Sequence, residues 1–204
     1  MAFYNSLKNH HNHNIVISFN SHPAYDFWAF GKGYHDAAST LATAFLAKNG
    51  HSDYDGYPIV FLYRHAFETN LKNIIYWTIR LGWFKECDLT DTTIHHDHNL
   101  VKLSKLSTSL LFRIYPNDSY IQSLMTRTVD TAIEFHEIDA NSYAYRYPID
   151  KKGEYSTSHH QVVNIESIAI HMEKLLDDLE AFNHALAGET DTAQEEYEAN
   201  HDLF

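Results

Sequence analysis

Residues 57 to 80 read YPIVFLYRHAFETNLKNIIYWTIR, and the fold turns on them. Pro58 suits the first turn of a helix, where its missing N–H would have no intrahelical partner anyway. No further Pro or Gly interrupts the stretch. At about 100° per residue, Ile59, Tyr63, Ala66, Phe67, Leu71, Ile74 and Trp77 share one broad apolar face, which predicts a long amphipathic helix. Beside that face Arg64, Glu68 and Lys72 stack in a strip with His65, Thr69 and Asn73. Two roles are open to the strip. As i,i+4 ion pairs on a wet face it would contribute about 0.2–0.5 kcal/mol per pair. As a cluster of charge it is the first candidate in the chain for chemistry.

Working outward, helical spacing recurs on both sides. Before the central stretch, Phe27, Phe30, Tyr34, Ala38, Leu41 and Phe45 predict a helix from Ala24 to about Lys48, weakened early by Gly31 and Gly33. The NGHSDYDG segment at 49–56 reads as the turn between them. After it, Leu100, Leu103, Leu106, Leu110 and Leu111 form a stripe that Pro116 closes. Ser119 followed by Gln122 suits a capping box ahead of Ile121, Leu124, Met125, Val129, Ile133 and Phe135. A tyrosine-rich excursion follows, with extended chain and a turn near 140–163 that suits a hairpin with QVVN at 161–164. Asn164 to about Ala187 carries Ile165, Ile168, Ala169, Met172, Leu175, Leu176, Leu179 and Phe182, and Gly188 is placed to end that helix. The expectation is an all-α, up-down bundle of about five helices over 24–187. Residues 1–23 form an N-terminal extension around NIVISF at 14–19, and residues 188–204 an acidic, disordered tail.

A length of 204 residues can bury one substantial core. The single cysteine, Cys87, excludes an intramolecular disulfide. With no hydrophobic leader and no run of eighteen apolar residues, the sequence reads as a cytoplasmic protein with no membrane partner. The formal charge of −12 leaves no global field to gather nucleic acid, so any RNA contact must be local. Three Trp, fourteen Tyr and twelve Phe exceed what a small bundle hides readily, which argues for an interface and a homodimer.

Three polar groups call for an explanation. The first is Arg64, His65, Glu68 and Lys72. The second is His95, His96, Asp97 and His98 ahead of the leucine-striped helix. Adjacent helical side chains diverge, so at most two of these four share one metal, and Asp97 equally suits a cap. The third is Asp139, Ser142, Arg146 and Asp150, where an arginine among tyrosines fits a carboxylate or phosphate. His10, His11, His13, His159 and His160 sit in polar stretches and read as solvated. The order His65, His96-Asp97, Asp139 also fits the H…HD…D pattern of HD-type metal phosphohydrolases, a remote alternative.

The string FLYRHAFETNLKNII at 61–75, then His98, Leu100 and Leu103, then SYAYRYPID at 142–150, resembles the bacterial HEPN-like helical proteins. In that family YRHxxExxLK, HDL or HNL, and SFxxRYP recur in this order. The likeness covers roughly residues 55 to 185. It implies a helical bundle, homodimerisation and a place in prokaryotic conflict systems such as toxin–antitoxin modules and antiviral (phage) defence, with RNA, a nucleotide or a cognate protein as partner. Many family members are ribonucleases that need no metal or other cofactor and use an Arg followed four to six residues later by His. None of Arg64, Arg80, Arg113, Arg127 and Arg146 has a His at that distance. The resemblance therefore implies a non-catalytic RNA-, nucleotide- or protein-binding module. The alternative is a metal-independent ribonuclease with Arg64, Glu68, His98 and Arg146 as catalytic groups and Lys72, His65, Ser142 and Tyr147 binding phosphate or ligand.

Overall fold

A computed structural model describes Ile15 and residues 23–48, 50, 52–87, 89, 97–139, 144–150, 152–156 and 162–201. His10, His11, His13, His95, His96, Ser142, His159, His160 and the NIVISF run apart from Ile15 lie outside those residues. Among the described residues five helices form the expected all-α bundle: α1 Pro23–Leu46, α2 Gly56–Phe84, α3 Leu100–Ile114, α4 Ser119–Asp139 and α5 Ile165–His201. A 3₁₀ turn at Asp53–Asp55 leads into α2. No described helix is long and apolar enough to cross a membrane.

The centre of the bundle is α2, which packs against α1, α3 and α5. The seven apolar residues from Ile59 to Trp77 are buried as their spacing predicts. Burial does not stop at that face. From Tyr63 to Thr78 every residue but His65 and Tyr76 is buried, so α2 is covered on nearly all sides and the polar strip faces protein.

Contacts with α2 rotate α1 away from the aromatic stripe expected for it. Its buried residues are Ala24, Gly31, His35, Ala38 and Ala42, whereas Phe30 and Leu41 are exposed. Small side chains let the two helices approach closely. A Cβ at Gly31 would lie 3.1 Å from Asn70 Nδ2 and 3.2 Å from Thr69 Oγ1. The glycine that weakens α1 as an isolated helix is thus what lets it pack.

Three helix starts are set by side-chain caps, and at the head of α3 Asn99 Oδ1 accepts the Lys102 N–H at 3.0 Å. Asn164 accepts the Ser167 N–H at 2.8 Å at the head of α5. In α4 the cap falls one residue before the expected Ser119: Asp118 Oδ1 accepts the Ile121 N–H at 3.0 Å. On α4 Ile133 is exposed, and Thr128 and Thr131 are buried instead, each hydroxyl donating to the carbonyl four residues back. The excursion before α5 closes on itself. Among the described residues Ile149 bridges Tyr155, and Asp150 Oδ1 accepts the Lys152 and Glu154 N–H groups; Gln161 of the expected QVVN partner lies outside them.

The expected disordered tail is also corrected: α5 runs through Gly188 to His201. Leu186, Thr190 and Ala193 extend its buried stripe. Glu189 accepts a 2.6 Å bond from the Tyr115 hydroxyl and pairs with Lys85. Deleting residues 189–204 is expected to lower stability by about 2–3 kcal/mol through lost burial and the Tyr115–carboxylate bond. Urea unfolding with far-UV circular dichroism checks it, and an unchanged midpoint would contradict the packing.

Helices α1 and α5 are clamped at His35. Its Nδ1 lies 2.7 Å from Glu180 Oε1 and its Nε2 3.2 Å from Glu173 Oε2. Glu173 also accepts a 2.6 Å bond from the Tyr63 hydroxyl. A neutral imidazole has one N–H and can donate to only one of two ionised carboxylates. Burial lowers the His35 pKa, but the Glu180 hydrogen bond and the charges of Glu180, Glu173 and Asp177 outweigh it and hold the pKa above the ordinary 6.5. The stabilisation is therefore fully present below that value and lost as pH rises through the raised one. Urea midpoints of the wild type should fall between about pH 5.5 and about pH 8.5 more steeply than those of His35→Gln. Parallel pH profiles would refute the charged clamp.

Candidate functional site

The strip on α2 is a buried ion network. Arg64 and Glu68 are each 1% exposed and Lys72 5%, so the wet-face role does not apply. Arg64 Nη1 donates to Glu68 Oε2 at 3.2 Å, and Lys72 Nζ donates to Glu68 Oε1 at 2.9 Å. Helical spacing places all three in line. Two further groups come from distant parts of the chain. Asp139, in the last turn of α4, brings Oδ2 within 3.3 Å of Arg64 Nε. The segment before α3 supplies the His98 carbonyl, which accepts from Arg64 Nη2 at 3.0 Å, and the His98 ring, whose Nδ1 lies 2.7 Å from Glu68 Oε1.

Two cations thus face two carboxylates. The balance fixes the protonation states. Burial alone would raise the Glu68 pKa, but the charge and hydrogen bond of Lys72, then those of His98, hold it below the ordinary value of 4.5. Burial lowers the His65 pKa; Glu68 opposes this, while Arg64, Arg146 and Lys72 add to it, so His65 is neutral near neutrality. Tyr145 lies close enough to feel Asp139 and Arg64, and burial first, then Asp139, pushes its hydroxyl up to about 12.

The outer part of the site is a row of rings. Tyr34 meets His65 edge-on at 4.4 Å between centroids, and Phe61 stacks on His65 at 5.5 Å and 13°. Phe30 continues the row from Tyr34 at 6.3 Å. At the other end the Arg146 guanidinium lies 5.6 Å over Phe61 and 5.8 Å over Tyr147. Phe30, Arg146 and Tyr147 are exposed. The row runs from α1 across α2 to the turn at 144–146.

Of the sequence-derived residues, Arg64, Glu68, Lys72 and His98 come together directly. His65, Arg146 and Tyr147 gather on the adjoining surface. Ser142 lies outside the described residues, and Asp150 serves its own turn. Asp97 caps the backbone, accepting the Asn99 N–H at 2.8 Å. Spacing alone had not connected Asp139 to Arg64, nor singled out Tyr34, Phe61 or Tyr145. Phe61 did carry a signal, one turn before His65. Asp139 is far from the strip in sequence and gave no signal of the pairing.

Among the described residues, one group brings metal-ligating atoms within 4.8 Å of one another, namely His35, Asp177 and Glu180. It includes none of His65, Asp97 and Asp139, the described members of the HD-type pattern. A cavity of about 390 Å³ opens between α4 and α5, with Phe135, Ile138, Tyr145, Val163, Ile168 and Met172 among its walls. Tyr145 links this cavity to the ion network.

Removing one member of a buried pair leaves the other without compensation. Arg64→Ala and Glu68→Ala should each cost about 3–5 kcal/mol, whereas His98→Ala, with a side chain 58% exposed, should cost about 1 kcal/mol or less. Because the Glu68 carboxyl is held below 4.5, its contribution is complete above that pH and lost as pH falls through the lowered value. Chemical denaturation of the three variants at neutral and acid pH measures both effects. Equal losses in all three would refute the buried network.

The chain matches no protein-family model, no curated protein and no solved structure.

Proposed function

We infer that the chain is a HEPN-like module of a prokaryotic conflict or phage-defence system that binds single-stranded RNA or a nucleotide without cleaving it. The sequence resemblance over roughly residues 55 to 185 supports the family part of this reading, and the observation that carries the binding role is the row Phe30, Tyr34, His65, Phe61, Arg146 and Tyr147. Base stacking on aromatic side chains contributes about 1–3 kcal/mol per base and tolerates any sequence. A neutral His65 extends the stacking surface, and Arg146 supplies the local positive charge that an acidic chain needs for a phosphate. Catalysis is disfavoured because Arg64 and Lys72 are buried and spent on Glu68 and Asp139, out of reach of a substrate phosphate.

One contact favours the second reading, a metal-independent ribonuclease. Glu68 holds Nδ1 of the half-exposed His98, as a carboxylate does when it orients an imidazole for general-base work. Such a base would take the proton of a 2′-OH as it attacks the neighbouring phosphate.

Fluorescence anisotropy with a labelled single-stranded RNA of about twelve nucleotides separates the readings. Phe61→Ala and Arg146→Ala are expected to weaken binding about 5- to 100-fold each, and His98→Ala to leave it unchanged. RNA cleavage that disappears with His98→Ala would replace the binding reading by the ribonuclease. RNA that neither binds nor is cut would end both.

A further inference from the structure

At the far end of α2 lies a second aromatic patch, unconnected to the row of rings. Trp83 is 61% exposed, although α2 as a whole is the most covered helix in the bundle. Its ring lies 4.9 Å from Phe84 and 5.1 Å from Tyr197 of α5, and Tyr197 stacks on His201 at 3.9 Å. Arg80 braces the patch from beneath, 5.7 Å over Phe84 and donating to Gln194 at 2.7 Å. The chain then reverses through Glu86, the one described non-glycine residue with positive φ, at 55°. Trp83 is left on the corner. At 1.5 Å of rise per residue, it lies about 33 Å along α2 from Phe61.

The surroundings are acidic. Glu196 and Glu198 are exposed on either side of Tyr197, Asp191 and Glu195 are exposed further round α5, the neighbouring cations Arg80 and Lys85 bond Gln194 and Glu189, and no Lys or Arg follows Lys174 in the sequence. Glu195, Glu196 and Glu198 lie in the last two turns of α5, where the helix dipole disfavours negative charge. Glu198 accepts from the Gln194 side chain one turn back at 2.7 Å, whereas Glu195 and Glu196 gain nothing from the dipole. An exposed Trp beside a Tyr whose helix carries exposed carboxylates on both sides matches a ligand that offers cations and apolar side chains together. RNA and anionic lipid surfaces carry the wrong sign. A second copy docked face to face would set the same carboxylates against each other.

We propose that the Trp83–Tyr197 patch docks a basic, amphipathic segment of a partner protein, its Lys or Arg side chains on the carboxylates of α5 and its apolar side chains on the two rings. This site is independent of the RNA-binding reading.

The test uses the full chain and a labelled peptide of about fourteen residues with Lys and Leu at helical spacing, beside the same peptide with Glu for Lys. The Lys peptide is expected to bind, about tenfold or more weakly to Trp83→Ala and likewise to the combined Glu195→Gln, Glu196→Gln, Glu198→Gln variant. Added salt should weaken it, the Glu peptide should not bind, and Phe61→Ala should bind as the wild type does. Circular dichroism of Trp83→Ala should be unchanged, since the side chain is exposed. Tyr197→Ala is the second probe of the rings. Three results would overturn the proposal: no binding of the Lys peptide, equal binding to the wild type and Trp83→Ala, or a dimer in light scattering that Trp83→Ala dissolves. The last would give the patch to a second copy of the chain.

Discussion

The Arg64–Glu68 pair sets the terms for the rest of the bundle. Taking a guanidinium and a carboxylate out of water costs several kcal/mol per ion even after relaxation. Their mutual attraction offsets that cost only where the remaining donors and acceptors are also met. Here the others come from separate elements: Lys72 from α2 itself, the His98 carbonyl and ring from the segment before α3, and Asp139 from the end of α4. Any arrangement that misplaces α4 or the entry to α3 leaves a charge buried without its partner. Apolar contacts impose less direction, because burial and dispersion do not depend on the angle between donor and acceptor. The network thus fixes how the three elements meet.

That constraint also decides where function can lie. A buried cation already paired with a carboxylate is not available to a ligand, so the residues that look most like a catalytic strip in sequence are the least accessible in space. What they do is hold other groups in place. Glu68 positions the His98 ring at the surface, and the Asp139 carboxylate accepts the Ala144 N–H at 3.1 Å, anchoring the turn that presents Arg146. The buried ions and the exposed row of rings form two layers of one structure, with His65 bordering both.

The five helices were legible because apolar spacing reports the helical period directly, and α2 was legible almost residue by residue. Faces were less so. Phe30 and Leu41 fit the α1 stripe by spacing yet point outward, because α1 meets α2 through Gly31, Ala38 and Ala42, and close approach selects small residues over large ones. The end of α5 was misplaced at Gly188 since glycine there reads as a stop signal. The helix continues because Thr190 and Ala193 still have a surface to pack on. Arg64, Glu68 and Lys72 were recognised as a unit from their i,i+4 spacing. Their burial was not, because charge alternation looks the same on a wet face and in a core until the neighbours are known. The Asp139 contact depends on tertiary geometry alone.

Charge is distributed to opposite purposes along the molecule. The formal charge of −12 argues against nucleic acid only if it is spread evenly, and it is not. Near the amino-terminal half of α2 the buried charges cancel, and Arg146 stands on the surface beside neutral rings. Near its carboxyl-terminal end α5 contributes carboxylates that its own dipole opposes. Screening confines each field to about 8–10 Å at ordinary ionic strength, while the two aromatic surfaces are about 33 Å apart along α2. An anionic ligand at the first surface therefore feels Arg146 and little of the α5 carboxylates, and a cationic segment at the second feels the reverse. The length of α2 is what separates them: a single 29-residue helix holds the two surfaces several screening lengths apart.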